Sequence, residues 1–126
     1  MTVLTAIDGE EGSETVAAAG VELASRLGED AVVIHAASAR NLDDAERTVE
    51  SIVADAVADP DEVTVHVLEG NPAERVLNEV DRLEPTYAVL GSSRRTPAGK
   101  VVLGSVLQLV LRGADVPVVT VPQDRE

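Results

Sequence analysis

Five short apolar runs alternate along the chain with segments whose apolar residues recur at helical spacing. The runs are Val3 to Ile7, Ala31 to Ala36, Glu62 to Leu68, Tyr87 to Leu90 and Val116 to Val121. The helical stripes are Val16, Gly20, Leu23 and Leu27; Ala45, Val49, Ile52, Val53 and Ala56; Val76, Leu77, Val80 and Leu83; and Val106, Leu107, Val110 and Leu111. Strict alternation of strand and helix predicts an α/β domain, an open five-stranded parallel sheet with helices on both faces. Its crossovers should be right-handed. Ala31 to Ala36 is almost wholly apolar, as a strand covered on both faces must be. Val63, Val65 and Val67 alternate with Thr64 and His66, which suits the sheet edge. In such a fold the ligand crevice opens at the carboxyl ends of the strands, where the strand order reverses. Asp8 and Gly91 each follow a strand directly, so they face each other if strands 1 and 4 flank that point.

Punctuation supports these boundaries. Ser13 is read as the cap of the first helix, and Gly28 sits where its C-terminal cap belongs. Asn41 with Asp43 and Asp44 opens the second helix, and Pro60 is read as its stop. Asn71-Pro72-Ala73-Glu74 combines an N-cap Asn, a first-position Pro and a Glu three residues on. Gly113 is placed just past the last helix.

The 126 residues fit one domain, residues 1–126. Asp and Glu number 23 against 10 Lys and Arg, a formal net charge of −13. That balance argues against broad nucleic-acid binding and against anionic membranes, since phosphate repulsion would go unopposed. There is no cysteine, hence no disulfide frame and no thiolate site. No apolar run nears the ~20 residues of a membrane helix. No basic-then-apolar leader precedes the first strand, so the expected location is cytoplasmic. A core rich in Ala and Val under an acidic surface almost free of lysine is the composition expected of a halophile. The near-absence of aromatics removes the stacking platforms that single-stranded nucleic acid needs.

Against this background Gly91 to Val106 stands out. Arg94, Arg95 and the chain's only lysine, Lys100, fall in one loop with Gly91, Gly99 and Gly104. The loop leads from a buried strand to the start of a helix, a sequence of elements that presents backbone N–H groups and positive charge to phosphate. It is not a Walker A loop: Val101 follows Gly99-Lys100 where Ser or Thr belongs, and Arg94 stands at the first glycine position.

These residues resemble the universal stress protein family, whose nucleotide motif is Gly, two residues, Gly, nine residues, Gly, then Ser or Thr. Gly91, Gly104 and Ser105 fall at that spacing. Asp8 after strand 1, Ile34-His35-Ala36 in strand 2 and Ala114 to Val119 near strand 5 resemble the family as well. The resemblance covers essentially the whole chain. It implies the sheet order 3-2-1-4-5 of an adenine nucleotide alpha hydrolase-like fold. It also implies an adenine nucleotide, ATP or AMP with or without Mg2+, in the crevice between strands 1 and 4. By resemblance, Ala6, Ile7, Asp8 and Ala36 would meet the base and ribose. Leu90, Gly91, Arg94, Gly104, Ser105 and Val106 would hold the ribose and phosphates, with Arg95 and Lys100 adding charge. A two-fold homodimer through Val116 to Val121 is implied too.

One departure bears on the ligand. The middle glycine of the motif is Arg94. An arginine there either reaches the phosphate with its guanidinium or removes a backbone position that glycine alone could take. The second case leaves a dimeric interaction protein without nucleotide. No catalytic constellation is legible, so at most slow ATP hydrolysis is expected. No metal site is expected either. His35 reads as a packed structural histidine and His66 as an exposed one. The acidic pairs Glu10-Glu11 and Asp43-Asp44 read as helix-start residues facing the dipole.

Overall fold

The computed structural model describes residues 1–92 and 103–123. The five strands are β1 (Thr2–Ala6), β2 (Asp30–Ala37), β3 (Val63–Glu69), β4 (Tyr87–Ser92) and β5 (Val118–Pro122). The helices between them are α1 (Ser13–Leu27), α2 (Leu42–Ala56), α3 (Pro72–Leu83) and α4 (Ser105–Gly113). All strand pairs are parallel and the order is β3-β2-β1-β4-β5. The chain runs outward from β1 to β3, then returns to β4, so the order reverses between β1 and β4.

Strand alternation divides the core into two layers. Leu4, Val32, Ile34, Ala88 and Leu90 pack with Val76 and Val80 of α3 and Leu107 and Val110 of α4. Val33 and Ile7 pack on the other face with Val16 and Ala17 of α1 and Val49, Ile52 and Val53 of α2. Each Val, Leu or Ile among them, fully buried, contributes about 1.5–3 kcal/mol of transfer free energy. The expected stripes lead to these contacts, except that Leu27 and Leu111 are 45% exposed and lie outside the core.

The local signals held in part. Gly28 caps α1 with φ 68°. Asn71 caps α3, its side chain accepting from the Glu74 N–H at 3.2 Å, with Pro72 in the first position. Gly12, at φ 93°, is the N-cap residue of α1. Ser13 is therefore the first residue inside the helix and fully buried, not its cap. Glu10 and Glu11 lie in the loop before it, and Glu14 is the acid of the first turn. α2 ends at Ala56 with Val57 extended, so Pro60 begins a short 3-10 turn rather than stopping the helix. Gly113 closes α4 from inside. β5 begins at Val118, although the Pro117 carbonyl already accepts from Ala88 N at 3.0 Å.

α3 also carries a buried acid, Glu79. The Arg82 guanidinium hydrogen-bonds both of its oxygens and holds its carboxyl below the ordinary value, against the effect of burial. Both residues lie in the C-terminal half of α3.

Candidate functional crevice at the strand ends

The carboxyl ends of β1, β4 and β5 lie side by side, and Asp8 leaves the first of them. Its Oδ1 accepts three hydrogen bonds: from Glu10 N at 2.9 Å, from Ser13 Oγ at 3.1 Å and from Gln123 Nε2 at 2.9 Å. The first two fold the loop after β1 around the carboxylate and fix the start of α1. The third crosses the end of the sheet. Gln123 follows β5 at the edge, passes the end of β4 and reaches the β1 loop, where Nε2 also donates to the Glu11 carbonyl at 3.0 Å. The side chain is only 7% exposed. Gly91 makes room for it: a Cβ there would overlap Gln123 Oε1 and sit 3.1 Å from Val16 Cγ2. Asp8 and Gly91 thus do face each other across the reversal point, with the Gln123 carboxamide between them.

Beside this crevice a cleft of about 320 Å³ opens between the ends of β1 and β2 and the start of α2. Asp8, Gly9 and Glu10 line one side; His35, Ala36, Ala37 and Ser38 form the back; Asn41, Asp44, Ala45 and Thr48 close the other side. His35 Nδ1 lies 2.8 Å from the Ile7 carbonyl. A carbonyl only accepts, so Nδ1 carries the proton and the ring is fixed as a tie between β1 and β2. Gly9 lies flat on that ring: a Cβ on it would come 3.2 Å from His35 Cε1. The histidine is thus a packed wall of the cleft. Asp8, Glu10 and Asp44 make the described lining acidic, with no lysine or arginine among the described lining residues.

The expected site residues divide into four groups. Asp8 and Ala36 line the cleft together, and Gly91 flanks the crevice. Ala6 and Ile7 lie in the frame behind it: Ala6 pairs with Ile34 and Leu90, and Ile7 N donates to the Ile34 carbonyl at 3.0 Å. Leu90 is 4% exposed with its side chain in the core, so it can offer a ligand only backbone atoms. Gly104 and Ser105 are exposed at the N-terminus of α4, and Val106 packs partly against the core. α4 joins two parallel neighbours, so its N-terminus lies toward the carboxyl edge. Arg94, Arg95 and Lys100 lie outside the described residues. Sequence reading missed Gln123, the partnership of Ser13 with Asp8, and Asn41 before α2 with Asp44 and Thr48 within it as lining groups.

Gly104 does not take a backbone conformation that needs glycine. Its backbone is extended, φ −67° and ψ 159°, and no described residue lies within 4 Å of an added Cβ. Among the described residues nothing there calls for glycine. Among the described residues no group of three or more His, Cys, Asp or Glu is placed to hold a metal ion. Among them, too, no helix is long and apolar enough to cross a membrane.

Comparison with known proteins gives the same architecture. The family model described as the universal stress protein family matches residues 1–122. A universal stress protein of Archaeoglobus fulgidus superposes with a TM-score of 0.77 at 25% identity, covering 95% of this chain and 97% of that one. A universal stress protein solved in complex with cAMP gives 0.75 at 21% identity, over 98% of this chain and 97% of that one. A universal stress protein of Archaeoglobus fulgidus in complex with dAMP gives 0.71 at 22%, over 95% and 96%. No curated protein sequence matches the chain.

Proposed function

The chain belongs to the universal stress protein family, and from that membership we propose that it is a regulatory domain binding an adenine nucleotide, ATP or AMP, at the β1–β4 crevice. The cleft carries this reading. Its volume of about 320 Å³ lies at the strand ends beside the reversal of strand order, with Asp8 and Ala36 in its walls. That size is at the lower end of the ~300–1,000 Å³ typical of small-molecule pockets. Relatives solved with cAMP and with dAMP support the ligand class.

The phosphates are assigned to the start of α4. Gly104 caps that helix without a side-chain hydrogen bond, so the N–H groups of the first turn are not capped by it and suit an anion. The acidic cleft repels phosphate, and Arg94, Arg95 and Lys100 supply the opposing charge. Titration calorimetry with ATP and AMP, with Mg2+ added or omitted, tests the reading. Arg94→Ala and Lys100→Ala should each weaken binding by roughly 10- to 150-fold, the loss of one charge-assisted contact of ~1.5–3 kcal/mol. If Arg94 blocks the site instead, Arg94→Gly restores the family motif and tightens binding. No heat with either nucleotide in wild type or Arg94→Gly overturns the proposal.

The occupied crevice favours a second reading, a dimeric interaction protein that holds no nucleotide. Either reading includes pairing of Val116 to Val121 with its copy. This uncharged stretch overlaps β5, the edge strand beside β4, and soluble proteins rarely leave such an edge bare. Sedimentation across micromolar concentrations at high salt should show the dimer; monomer alone would remove it.

A further inference from the structure

We propose that Gln123 is a built-in occupant of the ligand crevice, and that a nucleotide binds by displacing its carboxamide from Asp8 and from the face of Gly91. The proposal rests on the nucleotide reading above. Glutamine is a mostly exposed residue type, yet Gln123 is 7% exposed while Pro122 before it is exposed. Both hydrogens of its amide have acceptors, Asp8 Oδ1 at 2.9 Å and the Glu11 carbonyl at 3.0 Å, and an amide has no more to give. Two glycines shape the slot: a Cβ on Gly12 would lie 2.5 Å from Gln123 Cγ, and one on Gly91 would overlap Oε1. The glycine at position 91 therefore already has an intramolecular reason, independent of phosphate.

The contact imitates a ligand. Nε2 donates to Asp8 Oδ1 as a ribose hydroxyl would, and Oε1 covers the backbone that a ligand must approach at Gly91. Nucleotide and carboxamide cannot share that volume. Release costs Gln123 two hydrogen bonds, both of which water can replace once its side chain leaves the slot. The apparent affinity is then the intrinsic affinity reduced by the fraction of molecules in which Gln123 is out.

Two measurements with AMP as the probe decide this. Gln123→Ala should bind AMP about tenfold tighter or better than wild type, a gain of about 1.4 kcal/mol. In wild type, the Gln123 side-chain amide, followed by 15N–1H NMR, should be protected from solvent exchange without ligand and lose that protection at saturating AMP. Wild type that binds AMP while Gln123→Ala binds equally or more weakly overturns displacement and leaves the nucleotide reading standing. So does an amide that stays protected in the complex, a result available even if the variant does not fold. A freely exchanging amide in the unliganded protein overturns displacement without any nucleotide. An amide protected without ligand, together with no AMP binding by either chain at millimolar concentration, overturns the nucleotide reading and displacement with it.

Discussion

Replacing Gly20 with Ala should lower the stability of the domain by about 3 kcal/mol, at the upper end of the range for overpacked cores. Helix propensity alone predicts the opposite sign, since Ala exceeds Gly by about 1 kcal/mol in a helix interior. Packing decides against propensity here. Gly20 lies in the middle of α1 where that helix rests on β1, and Thr5 beneath it is 1% exposed. A Cβ at position 20 would overlap Thr5 Oγ1 and come 2.9 Å from both Thr5 Cβ and Cγ2. Rotating the Thr5 side chain moves Oγ1 and Cγ2 but leaves Cβ in place. The helix itself must lift, and it carries Val16, Ala17 and Ala24, all buried. Urea unfolding of Gly20→Ala measures the loss. Thr5→Ala should recover part of it in the double variant, because the two atoms that rotate are then gone, and the two effects should couple rather than add. A midpoint at or above wild type for Gly20→Ala would show that α1 can move off β1 without cost.

That glycine shows where sequence reading stops. Position 20 falls on the helical stripe with Val16 and Leu23, and the period gives its face correctly. Why it must be Gly depends on which β1 residue lies opposite, which period does not report. The same division runs through the chain. Strand existence, helix faces, the Gly28 and Asn71 caps and the edge position of β3 were legible because each depends on residues a few positions apart. Ser13 was misread as a cap because its pattern suits one. In the fold its hydroxyl donates to Asp8 instead, 3.1 Å away and five residues back. Gln123 carried no local signal at all. It belongs to no period and no motif, and its partner Asp8 is separated from it by 115 positions. Only the side-by-side placement of the β1, β4 and β5 ends brings it over Gly91. The acidic lining from Asp44 escaped for a related reason, because its place in the first turn of α2 gives an aspartate there a sufficient local explanation.

Gly104 offers the cleanest separation of fold from function, since no described residue makes a demand for glycine there. The backbone is extended at φ −67° and ψ 159°, and an added Cβ meets no described residue within 4 Å. Gly104→Thr should therefore leave the unfolding midpoint unchanged, because Thr matches Gly as an N-cap residue. Gly104→Val places the same β-branched bulk there with a poorer cap, and should lose stability by no more than about 1 kcal/mol. If phosphate approaches the first turn of α4, both variants put a branched side chain where an oxygen must come within hydrogen-bond distance of backbone N–H. Affinity for ATP should then fall roughly a hundredfold in each, about 2.7 kcal/mol, the size of one or two charge-assisted contacts. A shared loss of binding with divergent, small effects on stability identifies the ligand as the reason for glycine. Unchanged affinity in both variants would mean that no phosphate reaches this helix end. The charge on Arg94, Arg95 and Lys100 would then serve some other contact, and the acidic cleft beside Asp8 would have to select its ligand by the base and ribose alone.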